Sequence, residues 1–103
     1  MKEKMYYLVG DTHDGKIYEK FESYDEAMEY IKEEYLYERE HENDEKATFI
    51  DGFYGIYSIS EETAEYYGWD YVMSDFHTMN FLGIVYYNDA VNYDERIKQW
   101  TDQ

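Results

Sequence analysis

Two Asp-Gly dipeptides, at residues 14–15 and 51–52, each separate two short runs of residues that favour β-strands. Asp-Gly is among the strongest short-range signals for a β-hairpin, because the glycine adopts the positive φ that a tight turn needs. The flanking runs are residues 5–9 and 16–21 for the first dipeptide and residues 47–50 and 53–59 for the second. The sequence therefore predicts two antiparallel strand pairs.

A helix is predicted directly after the first strand pair. Ser23 and Glu26 have the spacing of a capping box, in which the serine hydroxyl accepts a hydrogen bond from the glutamate amide. Apolar side chains then recur at the spacing of one helix face; they are Tyr24, Ala27, Met28, Ile31 and Tyr35. We expect a helix over about residues 24–40 and an exposed loop at residues 41–46.

The rest of the chain predicts shorter elements around the same sheet. Ser60 and Gly68 are suited to begin and end one short helix. The predicted elements are that helix at residues 61–67, strands at residues 69–73 and 81–87, and a last helix that begins at Asn88 or Asp89. In the last helix, the residues expected to return to the sheet are Val91, Ile97 and Trp100.

These elements predict a single α+β domain over residues 1–103, because the chain has no proline, no internal repeat and no linker composition. We expect a small antiparallel sheet of about four to six strands, one longer helix and one or two short helices, with a ββα opening.

Acidic residues outnumber basic ones by 25 to 9, which gives a net charge of −16. Such a charge repels nucleic acid and anionic membranes, so we exclude both as ligands. Folding is still feasible because 44% of the residues are hydrophobic, including 15 tyrosines. The chain has no cysteine, no signal-peptide pattern and no apolar run long enough to span a membrane. We therefore expect a cytoplasmic protein without disulfides.

The acidity is concentrated in two parts of the chain. Glutamates recur every three or four residues around the predicted long helix, and no lysine or arginine occurs between Lys46 and Arg96. Regularly spaced anions suit a basic groove that normally holds phosphates, although a solvated face explains the helix alone equally well. The candidate partner-binding residues are Glu22, Glu26, Glu29, Glu33, Glu34, Glu61, Glu62, Glu65, Asp70 and Asp75.

The tyrosines admit two interpretations, a core with hydroxyls at its edge or the exposed aromatic anchors of an interface. In the doublets Tyr6-Tyr7 and Tyr86-Tyr87 the two rings would face opposite sides of a strand. One ring of each doublet would then be exposed unless both sheet faces are covered. Exposed tyrosines beside acids would bind arginine by cation–π contact as well as by charge.

One segment has the residue types of a metal site. Residues 8–15, Leu-Val-Gly-Asp-Thr-His-Asp-Gly, resemble the first metal-binding segment of calcineurin-like metallophosphoesterases, in which an Asp-x-His contributes ligands to a two-metal site. The resemblance implies Asp11 and His13 as ligands. The further Gly-Asp, Gly-Asn-His and Gly-His motifs of that family do not occur, and His41 and His77 lack its flanking residues. We therefore interpret the segment as a turn and predict no enzymatic activity, no cofactor and no metal.

In its size, acidity, lack of cysteine and ββα opening, the whole chain is similar to the small acidic proteins that phages and mobile elements use against host defence, including anti-CRISPR proteins that imitate DNA. The resemblance is one of type, since no sequence motif defines that group. It implies an inhibitor that fills the DNA-binding groove of a basic protein, such as a CRISPR-Cas effector nuclease in a bacterial cytoplasm. The alternative is an acidic accessory interaction module without inhibitory mimicry, and the sequence leaves the oligomeric state open.

Overall fold

The computed structural model describes residues 4–41 and 50–93. Its strands are β1 (Met5–Asp11), β2 (Ile17–Phe21), β3 (Tyr54–Ser60) and β4 (Asn80–Val85). Its helices are α1 (Tyr24–Glu40), α2 (Glu61–Tyr67), α3 (Trp69–Ser74) and α4 (Tyr87–Val91), with a 3-10 helix at Phe76–Thr78. The predicted α+β class is confirmed. None of the described helices has the length and apolar composition needed to cross a membrane.

The strands form one antiparallel sheet in the order β2-β1-β3-β4. β1 and β2 are the predicted first hairpin, and Gly15 in its turn has a φ of 72°. β1 pairs along its whole length with β3, from Met5 opposite Ser60 to Asp11 opposite Tyr54. β4 pairs with the other side of β3 and lies at the edge of the sheet.

The dipeptide Asp51-Gly52 forms a turn, and Gly52 has a φ of 80°. The strand predicted after this turn is present as β3, whereas residues 47–49 of the strand predicted before it lie outside the described residues. β1 and β4 occupy the two edges of β3. Neither edge of β3 is therefore free for pairing across this turn.

Helix α1 covers one face of the sheet. Its predicted bounds are confirmed, and the Ser23 hydroxyl oxygen accepts a hydrogen bond from the Glu26 amide at 3.1 Å. Four members of its predicted apolar stripe are buried, namely Ala27, Met28, Ile31 and Tyr35, while Tyr24 is exposed. The core cluster on this face also contains Val9, Tyr54, Ile56, Val85 and, from α4, Ala90. Residues 42–46 of the predicted loop lie outside the described residues.

Helices α2 and α3 cover the opposite face. Because successive residues of a strand point to opposite faces, Leu8 packs in a different core cluster from Val9. The second cluster contains Leu8, Ile17, Tyr57, Ile59, Ala64 and Val72, of which the last two come from α2 and α3. The sheet is thus the middle of three layers, with α1 on one side and α2–α3 on the other.

Residues 69–73 are helical, so the prediction of a strand there is wrong. Trp69, Val72 and Met73 pack on the second cluster at the spacing of one helix face. Gly68, with a φ of 89°, ends α2 as predicted and also precedes α3. The aromatic and β-branched composition favoured a strand, but burial on the sheet face selects the helix, since strand propensity depends strongly on packing.

The last two elements differ from the prediction at their boundary. α4 begins at Tyr87, which had been expected to lie in the preceding strand, and Tyr86 offers it no side-chain cap. Instead, Oδ1 of Asp51 accepts a hydrogen bond from the Tyr87 amide at 2.7 Å. A cap supplied from so far away in the chain leaves no local sequence signal. Ile97 and Trp100, expected in the same helix, lie outside the described residues.

Candidate partner-binding surfaces

The predicted partner-binding acids fall into two groups on opposite faces of the sheet. Glu22 precedes α1, and Glu26, Glu29, Glu33 and Glu34 lie on it. The other group lies on or beside α2 and α3 and consists of Glu61, Glu62, Glu65, Asp70 and Asp75. Because α1 and α2–α3 cover different faces, the structure does not bring all of the predicted residues into one surface.

The first group forms what we call the α1 acidic row, made of Glu22, Glu26, Glu29 and Glu33. The last three line a shallow groove of about 300 Å³ together with the aromatic rings of Phe21 and Tyr30. These two rings contact each other with centroids 5.4 Å apart. The row is therefore a set of exposed carboxylates beside an aromatic wall.

Basic residues partly offset the charge of the α1 acidic row. Lys4 forms an ion pair with Glu22, with 3.3 Å between Nζ and Oε1. Helix α1 also carries Lys32 and Arg39, and the Arg39 guanidinium carbon lies 5.2 Å from the centre of the Tyr87 ring. Each isolated ion pair at an exposed site contributes little to stability. Their effect on a partner is to dilute the negative potential of this face.

The second group is accompanied by exposed aromatic rings. We call this region the tyrosine–acid surface and define it as Glu62, Glu65, Tyr66, Tyr67, Asp70, Tyr71 and Asp75. Its tyrosines are 83%, 48% and 50% exposed in chain order. The ring centroids of Tyr66 and Tyr67 are 5.1 Å apart, and those of Tyr67 and Tyr71 are 5.8 Å apart. No lysine or arginine occurs anywhere in residues 50–93.

The local sequence explains why these tyrosines face solvent. α2 is a short helix that begins at the Ser60 cap, whose Oγ accepts a hydrogen bond from the Thr63 amide at 3.1 Å. Ala64 is its one buried residue, and Val72 is the one buried residue of α3. Trp69 and Met73 of α3 pack against the same cluster and are partly buried. The three tyrosines of these helices point away from the core and are exposed.

Hydrogen bonds hold Asp75 at the end of the tyrosine–acid surface. Its Oδ1 accepts from the His77 backbone amide at 3.0 Å and lies 2.9 Å from His77 Nδ1, and its Oδ2 accepts from the Tyr71 hydroxyl at 3.2 Å. The hydrogen bond from the His77 backbone N–H is the main reason that the pKa of Asp75 is lowered. The hydrogen bond from the Tyr71 hydroxyl to Asp75 raises the pKa of Tyr71. Asp75 is therefore ionised at neutral pH, and it orients the Tyr71 ring.

The ammonium group of Lys20 lies over an aromatic ring of α3. Lys20 of β2 has its Nζ 3.9 Å from the centre of the Trp69 ring and 5.7 Å from that of Tyr6. Both distances are within the range of cation–π attraction. The α2–α3 face thus combines carboxylates with rings that accept a positive charge.

The segment that resembles a metallophosphoesterase forms the turn of the first hairpin. The buried Asp11 carboxylate accepts hydrogen bonds from the amides of His13 and Asp14, at 2.6 and 2.9 Å, and from the Tyr18 hydroxyl at 3.2 Å. This contact and burial raise the pKa of Tyr18 to about 12, with burial as the larger cause. Among the described residues, no group of three or more His, Asp and Glu side chains is placed to hold a metal ion. The carboxylate of Asp11 is used for hydrogen bonds that stabilise the turn.

Sequence reasoning did not single out Tyr66, Tyr67 and Tyr71, although they are the most distinctive part of the surface. The available sequence signal was the doublet Tyr66-Tyr67 at the end of the predicted short helix, with Ala64 as its apolar residue; Tyr71 gave none, because residues 69–73 were expected to form a strand. Of the doublets that were considered, Tyr6-Tyr7 is half-buried on both sides because helices cover both sheet faces. In the second doublet, Tyr86 is exposed and Tyr87 is half-buried, so one ring is exposed as expected, although the doublet follows β4 and does not lie in a strand.

Comparison of the chain with protein-family models, with curated proteins and with solved structures found no match.

Proposed function

We propose that this chain is an inhibitor that binds a basic nucleic-acid-binding protein and blocks its nucleic-acid groove. The observation that carries the proposal is the tyrosine–acid surface, where exposed carboxylates alternate with exposed tyrosine rings in a stretch without lysine or arginine. A CRISPR-Cas effector nuclease, whose groove holds a guide–target duplex, is a target of the required chemistry.

The surface matches the arginines of such a groove in two ways. Carboxylates accept the paired N–H groups of a guanidinium as phosphate oxygens do. The rings of Tyr66, Tyr67 and Tyr71 add cation–π contacts worth about 0.5–1 kcal/mol each at exposed sites. The net charge of −16 also attracts a basic partner from a distance and raises the rate of association.

The tyrosine–acid surface is a better candidate than the α1 acidic row. The two lie on opposite faces, so one flat groove would not contact both. The row shares its helix with Lys32 and Arg39, whereas α2 and α3 carry no lysine or arginine of their own, and the cation on their face is Lys20 over the Trp69 ring. We therefore assign the main contact to α2–α3 and leave α1 the role of adding to the long-range field.

The first test is capture of partners from a lysate that contains CRISPR effectors and other nucleic-acid enzymes, followed by elution with rising salt. The proposal predicts release of a basic nucleic-acid-binding protein at moderate salt, because screening weakens exposed ion pairs, and release by added DNA. A partner that DNA does not displace would instead support an accessory interaction module.

A matched pair of charge reversals then locates the contact. Glu62→Lys with Glu65→Lys reverses two exposed acids of the tyrosine–acid surface, and Glu29→Lys with Glu33→Lys makes the same change on α1. We expect the first pair to weaken binding by about tenfold or more, equivalent to about 1.4 kcal/mol or more. The second pair should act mainly through the association rate and cause a smaller loss. The opposite ranking would show that α1 makes the contact.

A further inference from the structure

The edge strand β4 has an outer side that no strand of the described residues pairs with. Such an edge presents a row of backbone N–H and C=O groups that can accept another strand. Natural proteins usually protect an edge with charged side chains, proline, a β-bulge or a covering element. The register of β4 with β3 shifts once, at Leu82, so β4 is a candidate interaction surface if charge, proline and a covering element are absent.

Both edge strands have one register shift against their neighbour, at Tyr18 in β2 and at Leu82 in β4, but the two edges differ in charge. The opposite edge strand, β2, carries the exposed charged residues Glu19 and Lys20. β4 contains no charged residue and no proline over Asn80–Val85, and the next residue, Tyr86, is also uncharged. Its side chains Phe81, Leu82 and Ile84 are nevertheless 53%, 49% and 41% exposed. A chain with a net charge of −16 thus keeps one sheet edge free of charge and apolar.

The apolar surface continues from β4 onto the sheet face that carries α2–α3. Phe81 and Ile84 line an open pocket of about 320 Å³ together with Thr12, Tyr57 and Phe76. Gly55 makes this arrangement possible, because a Cβ at that position would lie 2.9 Å from the Phe81 ring. The edge therefore offers backbone hydrogen bonds and an adjoining apolar recess to the same partner.

We propose that β4 pairs antiparallel with β4 of a second copy of this chain, forming a two-fold symmetric dimer. An antiparallel pair of identical strands is self-complementary, as a symmetric interface requires. Two copies of net charge −16 repel each other, so they can approach closely only through uncharged surface such as β4. A basic partner, in contrast, finds no carboxylate on β4 to pair with.

The dimer joins two four-stranded sheets into one continuous sheet. The two-fold axis of an antiparallel strand pair is perpendicular to the sheet, so the α2–α3 layers of both copies lie on the same face. Two tyrosine–acid surfaces then stand side by side. The proposal does not rest on the inhibitor function, because it uses only the edge and its lack of charge.

Sedimentation of the full chain over about a hundredfold range of protein concentration tests the proposal, since a short edge gives a weak, concentration-dependent dimer. The dimer fraction should rise between about 0.05 and about 0.5 M salt, because screening reduces the repulsion between copies. Binding of a basic partner would change with salt in the opposite direction. A monomer at every concentration and salt level would overturn the proposal.

Two variants with the same charge change identify the interface. Leu82→Lys places a charge on the edge and should abolish the dimer, although it moves the net charge toward zero. Tyr37→Lys makes the same change at an exposed position of α1 and should leave the dimer intact. Circular dichroism checks that both variants fold. A dimer that survives Leu82→Lys in a folded protein would contradict β4 pairing.

Hydrogen exchange on the unmodified chain gives an independent readout. Outer amides of β4 should become protected as the protein concentration rises, while those of β2 stay unchanged. Protection of the β4 edge that does not depend on concentration would mean that a segment of the same chain covers it, and would overturn the proposal.

Discussion

The hydroxyl of Tyr35 connects three elements in the core, and its removal gives a quantitative test of the packing described above. The hydroxyl donates to the Val85 carbonyl at 2.7 Å and accepts from the amides of Gly52 and Tyr54 at 3.2 and 3.5 Å. The Tyr35 side chain is fully buried, so water cannot replace these bonds. Burial also raises the pKa of Tyr35, which keeps the hydroxyl protonated as a donor. Helix α1 is thereby tied to the turn before β3 and to the end of β4.

The substitution Tyr35→Phe leaves the ring in place and removes all three hydrogen bonds of the hydroxyl. Removing one side of a buried hydrogen-bonded contact costs about 1–3 kcal/mol, and we expect this total for the variant because the three bonds share a single hydroxyl. In a domain of about this size, each kcal/mol lowers the Tm by about 4–8 °C. We therefore expect the Tm to fall by roughly 5–20 °C.

The assays are thermal unfolding, which gives the Tm, and urea unfolding, which gives the midpoint and slope, both followed by circular dichroism for each variant. Tyr37→Phe is the matched control, because it removes a hydroxyl from the same helix at a position that is 59% exposed. The control should change stability by less than about 0.5 kcal/mol. Equal effects of the two substitutions would refute the role assigned to the Tyr35 hydroxyl.

Three other substitutions test separate features. Ser23→Ala removes the cap of α1 and should cost about 1 kcal/mol in urea unfolding; an unchanged midpoint would show that the cap contributes nothing. Gly10→Ala would place a Cβ 2.9 Å from Ile17 Cδ1, so we expect a loss of about 1–3 kcal/mol, and full stability would contradict the close packing. Burial raises the pKa of Glu38 above its usual 4.5, so its ionised form lowers stability at neutral pH; this penalty begins to shrink as the pH falls through the raised pKa and is gone below about 4.5. The gain from Glu38→Gln should shrink in the same range, and a gain independent of pH would argue against the burial effect.

The elements that the sequence predicts well are those with local signals. Asp14-Gly15 is a turn with its own backbone requirement, and Ser23 with the following apolar stripe defines α1 to the residue. Their determinants lie within a few positions of one another. The ββα opening could therefore be derived without any long-range contact.

Long-range contacts decide the parts that were missed. α3 has the composition of a strand, and only its packing against the sheet through Trp69, Val72 and Met73 makes it a helix. The start of α4 depends on a carboxylate from Asp51, far away in the chain. The three residues of α3 have helical spacing, but a pattern of that length does not separate a short helix from a strand. The contact from Asp51 leaves no local signal.

The sequence singled out individual acidic residues as candidates, but it did not show which of them share a surface. Spacing placed Glu26, Glu29 and Glu33 together on one helix, where they line one groove. The separation of these acids from Glu62 and Glu65 depends on which sheet face each helix covers, and that follows from the strand order. The same strand order places β4 at an edge.

The central claim is that the tyrosine–acid surface occupies the nucleic-acid groove of a basic protein, and a three-component binding experiment tests it most directly. The captured partner is saturated with this chain, and binding of labelled DNA is then measured by anisotropy. We predict that the partner binds either this chain or DNA but not both at once. The double variant Tyr67→Ala with Tyr71→Ala should bind the partner less well, so that DNA binding is restored. A stable ternary complex, in which the partner holds this chain and DNA together, would contradict the claim.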